Sequence, residues 1–275
     1  MNGLGATVGH RLAIGAYLLF ALFPLYWLIK IAVTPEQLLY TEGVRLWPSE
    51  FTSVNFVKVV LASDFPVFFK NSVIVAGGTA LAVTIVASLA GYAFSRFSFR
   101  GKAAIVFLML LTQMFPIVML IAPTYRLMTP LGLTDTLFGL IIVYTAFNTP
   151  FATFLMQSFF EGIPKELEES GMIDGCTRFQ ALLKVILPLT LPGMAATLGF
   201  VFTAAWSELL FSLMLINSEE NMTFPVGLLT FIGKFSVDWG QMTAAGCLAL
   251  IPACLFFALI QRYLVQGLTS GAVKG

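Results

Sequence analysis

Six runs of about twenty mostly apolar residues divide this chain, near 12–33, 72–94, 103–122, 137–159, 190–215 and 243–263. At a helical rise of about 1.5 Å per residue, each run matches a hydrocarbon core of about 30 Å. Backbone inside that medium must satisfy its own hydrogen bonds, which leaves helices or a closed barrel. Barrel strands alternate polar and apolar residues over about ten positions, and these runs do not alternate. The predicted fold is therefore all-α, a polytopic membrane bundle of six transmembrane helices forming one domain over residues 1–275 in contact with the lipid bilayer. Composition agrees: 11% of the residues are charged, against about 25% in soluble domains. The first run is longer than a signal-peptide core and lacks a small-residue cleavage site, so it is expected to remain as the first span.

Orientation follows the basic residues near the membrane ends. The link "RFSFRGK", Arg96 to Lys102, holds three bases and no acid. Placing it in the cytoplasm also brings Arg11, Lys165, Arg178, Lys184, Arg262 and Lys274 inside, and leaves Arg45, Lys58, Lys70, Arg126 and Lys234 outside. Both termini and the link between the fourth and fifth runs are then cytoplasmic.

Several chemistries lack their residues. His10 is the single histidine, so neither a histidine-containing triad nor a histidine-rich metal cluster can be assembled. No GxxxxGK[ST] phosphate loop occurs; "RGKAA" at Arg100 has the lysine without the upstream glycine or the following hydroxyl. No catalytic residue, metal or bound cofactor is expected on this chain. The net charge of +1 does not select an anionic partner, and no nucleic acid is expected. Cys176, Cys247 and Cys254 show no framework spacing and are expected to stay free thiols. "NMT" at Asn221 reads as an incidental match to a glycosylation acceptor, and Gly77 and Gly78 read as helix-packing positions.

One stretch is conspicuously polar: "EESGMIDGCTRFQALLKVILP", Glu168 to Pro188, inside the link at 160–188. Pro164 suits the start of a helix, and the acids of "KELEESGMI" lie near its positive end. Leu167, Met172 and Ile173 fall near one side, while Lys165, Glu166 and Glu169 offer charge. Asp174-Gly175 breaks the run, and "TRFQALLKVIL" then predicts a second helix running straight to Pro188. A helix, turn and helix clamped between two spans would act as a lever; a solvated interhelical loop is the other reading.

The stretch resembles the EAA loop of permease subunits in binding-protein-dependent ABC importers, in which E-A-A is followed by three residues, a glycine, nine residues and I-x-L-P. Glu169, Ser170 and Gly171 occupy the E-A-A positions, Gly175 the glycine, and Val185, Leu187 and Pro188 the closing positions. Ser170 and Gly171 replace two alanines and Val185 an isoleucine. "KNSVIVA" from Lys70, "AGYAFSRFSFRGK" from Ala90, "AWSELL" from Ala205 and the terminal "GLTSGAVKG" extend the resemblance to the MalG-like carbohydrate permeases. The resemblance implies a prokaryotic inner-membrane subunit that pairs with a homologous second permease, two ATPase subunits and an extracytoplasmic solute-binding protein. ATP and magnesium would then reside on the ATPase subunits. It also implies that Glu169, Ser170, Gly171, Met172, Ile173, Asp174 and Gly175 couple the chain to the ATPase, with Glu169 giving an ionic contact and Met172, Ile173 and Gly175 the packing.

Within the spans, Glu208 is a costly charge of a kind that usually faces a cavity or a partner; a gate or sugar contact is one reading, a snorkelled or hydrogen-bonded structural role the other. Gln113, Asn148 and Trp206 join it as candidate lining of a sugar pathway, since sugars are held by polar groups beside aromatic faces. Pro116 and Pro150 are expected to kink their helices nearby, and the stretch 34–70 to contact the binding protein or simply to connect spans. A permease for a non-sugar solute remains an alternative, as does an ion-coupled carrier, which would need intramembrane charges beyond Glu208 and Lys30.

Overall fold

In the computed structural model, residues 3–272 are described, with side chains from residue 9 to residue 261. Arg262 and the "GLTSGAVKG" tail lie outside the described side chains. The helices run α1 Gly3–Ala32, α2 Glu36–Thr41, α3 Val54–Leu61, α4 Phe65–Arg96, α5 Lys102–Met114, α6 Ile117–Met128, α7 Leu137–Glu161, α8 Lys165–Ile173, α9 Arg178–Ala181, α10 Leu187–Leu189, α11 Leu191–Trp206, α12 Leu210–Leu215, α13 Phe224–Gly227 and α14 Trp239–Ala272. Among the described residues the one β feature is an isolated antiparallel bridge between Ile232 and Val237. The chain is all-α, as expected.

Four helices, α1, α4, α7 and α14, are long and apolar enough to cross a bilayer. Counting each of two bent pairs as one span gives up to six: α5 with α6, meeting at 105°, and the Arg178–Leu189 segment with α11, meeting at 73°. The third and fifth spans are therefore broken rather than continuous. Pro116 causes the first break, because a residue before proline is driven out of the helical region, and Phe115 sits extended at φ −75°, ψ 131°. In the fifth span Pro188 and Pro192 cannot donate to the carbonyls of Lys184 and Pro188. The second helix of the polar link runs on through Pro188 to Leu189, with a π turn at Leu182–Ile186, before the bend at Thr190. A further break at Ser207–Leu209 separates α11 from α12. Pro150, by contrast, lies inside the uninterrupted α7.

The chain forms two compact units, Met1–Pro66 with Gly227–Ile251, and Val67–Val226 with Pro252–Gly275. In the first, Asn55 Nδ2 donates to the carbonyls of Ala32 (2.9 Å) and Thr34 (3.1 Å), tying α3 to the end of α1. Lys30 is nearly buried, with its ammonium 5.0 Å from the Trp27 ring. From residue 9 to residue 29 no residue of α1 is buried, so the apolar surface of that stretch is left to lipid or to a neighbouring protein.

The second unit holds α7 at its centre: Leu140, Ala152, Met156 and Phe160 are fully buried. At Gly91 a Cβ would stand 2.8 Å from Gln157 N and 2.9 Å from Met156 Cβ, so α4 and α7 approach backbone to backbone. Gly78 meets only the flexible Ile141 side chain, and Gly77 meets nothing within 4 Å. The expected packing role thus separates between the two.

Candidate functional site

The polar link folds back as an elbow. Pro164 caps α8, and Gly175, at φ +89°, ends it in the left-handed region that favours glycine. Gly175 N donates to Met172 O and Cys176 N to Gly171 O, both at 3.1 Å, closing the last turn in a Schellman arrangement. Thr177 then starts α9 with a capping box, its hydroxyl accepting from Gln180 N while Gln180 Oε1 accepts from Thr177 N.

The orientation of this elbow is the inverse of an ordinary surface helix. Ile173 is 85% exposed, Phe179 61% and Leu167 42%, whereas Glu168 is 4% exposed. Glu169, Ser170 and Asp174 are exposed beside that apolar face, and Met172 is half-buried. Gly171 is buried against the π turn, where a Cβ would come within 3.2 Å of Val185. Such a space admits a methyl group if Val185 yields by a few tenths of an ångström. Glycine occupies the position without that displacement.

Glu168 was not singled out by the sequence, yet it is the residue on which this end of the unit converges. Tyr92 OH donates to its Oε1 at 2.5 Å and Arg96 Nε to its Oε2 at 3.2 Å. Arg178 approaches at 3.9 Å, its guanidinium also lying 5.1 Å from the Phe97 ring. The sequence signal was the four-residue spacing of Tyr92 and Arg96, which puts both on one face of α4.

A cavity of about 320 Å³ lies between α5, α7, α11 and α12. Gln113, Asn148 and Glu208, three of the four pathway candidates, line it together with Thr112, Tyr144 and a wall of phenylalanines that includes Phe147, Phe151, Phe200 and Phe211. Trp206 does not. It is 4% exposed and packs against Phe69, Phe202 and Phe224. Glu208 accepts from Tyr144 OH (2.6 Å), Phe211 N (2.9 Å) and Ser212 N (3.2 Å), so its carboxylate caps the start of α12 as well as facing the cavity. Gln113 Nε2 donates to Phe147 O at 3.3 Å, and Asn148 Nδ2 to Tyr144 O at 2.8 Å.

At the far end of α7 from the elbow, Asp135 joins two connecting segments. It stands at φ +57°, a region that aspartate tolerates better than most side chains. Its Oδ1 accepts from Asn217 N, Ser218 N and Ser218 Oγ, each at 2.9 Å. Asn221, the residue of the "NMT" match, is engaged there too, donating to Asp135 O and Ser218 Oγ. Hydrogen bonds from Ser218 first, then Asn217, hold the Asp135 carboxyl below the usual carboxylate range. Because the folded form lowers the pKa, this contribution is complete above the unfolded value of about 3.9 and is lost as pH falls through the folded one. Asp135→Asn keeps the backbone tolerance and removes the charge. It should cost about 1 kcal/mol in thermal unfolding at pH 7, allowing for solvent screening, and the gap to the parent should close in acid.

Known proteins share this architecture. The family described as "Binding-protein-dependent transport system inner membrane component" matches residues 83–270. The trehalose/maltose transport system permease protein MalG of Thermococcus litoralis is 35% identical, over 96% of each chain. The diacetylchitobiose uptake system permease protein DasC of Streptomyces coelicolor is 36% identical over 92% of each. The sulfoquinovosyl glycerol transport system permease protein SmoH of Agrobacterium fabrum is 32% identical over 96% of this chain and 93% of its own. Among solved structures, a chain of a bacterial ABC transporter that imports the acidic polysaccharide alginate superposes with a TM-score of 0.80 over 94% of this chain, at 22% identity, which speaks to the fold.

Proposed function

The chain belongs to the family of inner membrane components of binding-protein-dependent transport systems, and from that membership we propose that it forms half of an ATP-driven import pathway for a sugar or sugar derivative. A homologous second permease supplies the other half, and an extracytoplasmic binding protein delivers the solute. Two ATPase subunits, carrying ATP and magnesium, supply the work; this chain is a non-catalytic subunit. The elbow and both termini face the cytoplasm in this reading. The sugar class is supported by the names of three relatives, which carry trehalose/maltose, diacetylchitobiose and sulfoquinovosyl glycerol. A cavity that sets amide and carboxylate groups beside phenylalanine rings is chemically suited to the same cargo.

The observation that carries the coupling role is the outward apolar face of the elbow. Ile173 is exposed one helical turn from Glu169 on α8, and Phe179 is exposed on α9. An apolar centre with a charged rim is the anatomy of a protein interface. The ATPase covers Ile173 and Met172, Gly175 permits close approach, and Glu169 pairs with a base on the partner. Glu208 is the one acid among the described residues lining the cavity, and an ion-coupled carrier would need further intramembrane charges beside it, so the cavity does not favour that alternative.

Two measurements test this. Reversing the charge in Glu169→Lys should leave the chain folded but weaken ATPase association by about tenfold or more, read as loss of co-purification and of uptake in proteoliposomes. Full retention of both would remove the elbow from coupling. Titrating the cognate binding protein with trehalose, maltose and diacetylchitobiose, and separately with amino acids, assigns the cargo. Binding of an amino acid and no sugar would sink the sugar assignment while leaving the transporter reading in place.

A further inference from the structure

The docking face uses Glu169 and leaves its neighbour Glu168 with no part in it. Glu168 points the other way, and its side chain is 5% exposed against the Arg96 side chain at 4%. The elbow is joined through the chain to α7 at one end and, by the π turn and α10, to α11 at the other. The Glu168 cluster adds a third attachment, to the end of α4. Arg96 grips this attachment twice, donating from Nε to Glu168 and from Nη2 to Ile163 O at 2.9 Å, in the turn between α7 and α8. Tyr92, one helical turn back along α4, holds the second carboxylate oxygen, while Arg178 brings the start of α9 to the same carboxylate. An exposed ion pair slips as its long side chains reorient and water competes. A buried pair with each oxygen held by a separate donor is directional, and rupturing it leaves an uncompensated charge. Such a joint transmits displacement instead of absorbing it.

We propose that Glu168 is a positioning residue that makes α4 move with the elbow, so that the stroke applied to α8 reaches the second span directly as well as the two spans to which the elbow is bonded. This rests on the reading that the outer face of α8 docks on an ATPase. Removing the joint should then separate hydrolysis from transport without releasing the ATPase.

The test uses the complete reconstituted importer, comparing Glu168→Gln with Tyr92→Phe, and counts sugar molecules taken up per ATP hydrolysed. The sugar is the one the binding protein selects in the titration above. The ATPase subunits should still co-purify with Glu168→Gln, and uptake per ATP should fall by about tenfold, a size common for coupling between sites. Tyr92→Phe removes one hydrogen bond without uncovering a charge, and should lower the ratio by a smaller factor. A purely structural role would reduce the amount of assembled complex but leave the ratio of surviving complexes at the parent value, and that result overturns the proposal. If Glu168→Gln does not assemble, Tyr92→Phe decides alone: a lowered ratio supports the joint and an unchanged ratio refutes it. Failure of the docking reading shows up separately, as ATPase binding that Glu169→Lys leaves intact.

Discussion

Leucine at position 91 should prevent the second unit from closing. Gly91 lies where α4 crosses α7, and even a methyl group there would stand 2.8 Å from Gln157 N and 3.0 Å from the Met156 carbonyl carbon. Backbone atoms inside two packed helices cannot swing aside as a side-chain tip can. Relief therefore requires the helices to part and surrender the contacts around Met156 and Phe160, both fully buried. Overpacking of well-filled cores costs about 1–3 kcal/mol for extra methylenes. A full leucine side chain against backbone should exceed about 3 kcal/mol, enough to reduce folded protein sharply given usual stabilities. The measurement is the yield of monodisperse protein in detergent with its thermal midpoint. Gly77→Ala on the same helix is the control. Nothing lies within 4 Å of its added carbon, and the gain in helix propensity, up to about 1 kcal/mol, should leave it as stable as the parent or slightly more so. Equal behaviour of the two variants would show that α4 and α7 do not make this close crossing.

Glu208→Ala should be the second large effect, for an electrostatic rather than steric reason. The carboxylate serves three donors, and one of them, the Tyr144 hydroxyl, belongs to a side chain 2% exposed. Each buried donor left without a partner costs about 1–3 kcal/mol, so the loss should reach about 3 kcal/mol or more even with incomplete additivity. Glu208→Gln retains one carbonyl acceptor and should fall between the parent and the alanine variant. Adding Tyr144→Phe to Glu208→Ala removes the stranded hydroxyl and should restore part of the stability. A double variant no better than Glu208→Ala alone would mean that the Tyr144 bond contributes nothing. Stability and transport separate in this series. If Glu208 also contacts the solute, Glu208→Gln should raise the half-saturating sugar concentration beyond what its loss of folded protein explains.

The two glutamates of the elbow show how legibility divides. Glu168 and Glu169 are chemically identical neighbours, turned about 100° apart by the helix, and one becomes a buried joint while the other stays at the surface. No local pattern distinguishes them. The choice is made by Tyr92 and Arg96, more than seventy residues earlier, once α4 ends beside α8. The candidate cavity behaves similarly. Gln113, Asn148 and Glu208 were legible as polar interruptions of apolar runs, but Trp206, two residues from Glu208, rotates into the aromatic core.

By itself, then, the sequence determined the features that local chemistry controls. Apolar runs long enough for a bilayer demand helices because lipid offers the backbone no hydrogen-bond partner. Pro164 and Gly175 bracket α8 through their own backbone preferences. The EAA spacing, through its resemblance to known permeases, implied the coupling role proposed above for the elbow. Only the tertiary structure decided how abruptly the third and fifth spans break, which acid turns inward, and which polar side chains share a cavity. Those outcomes depend on contacts between helices far apart in the chain, where close approach at Gly91 and the pairing of buried charge outweigh any preference a single segment carries.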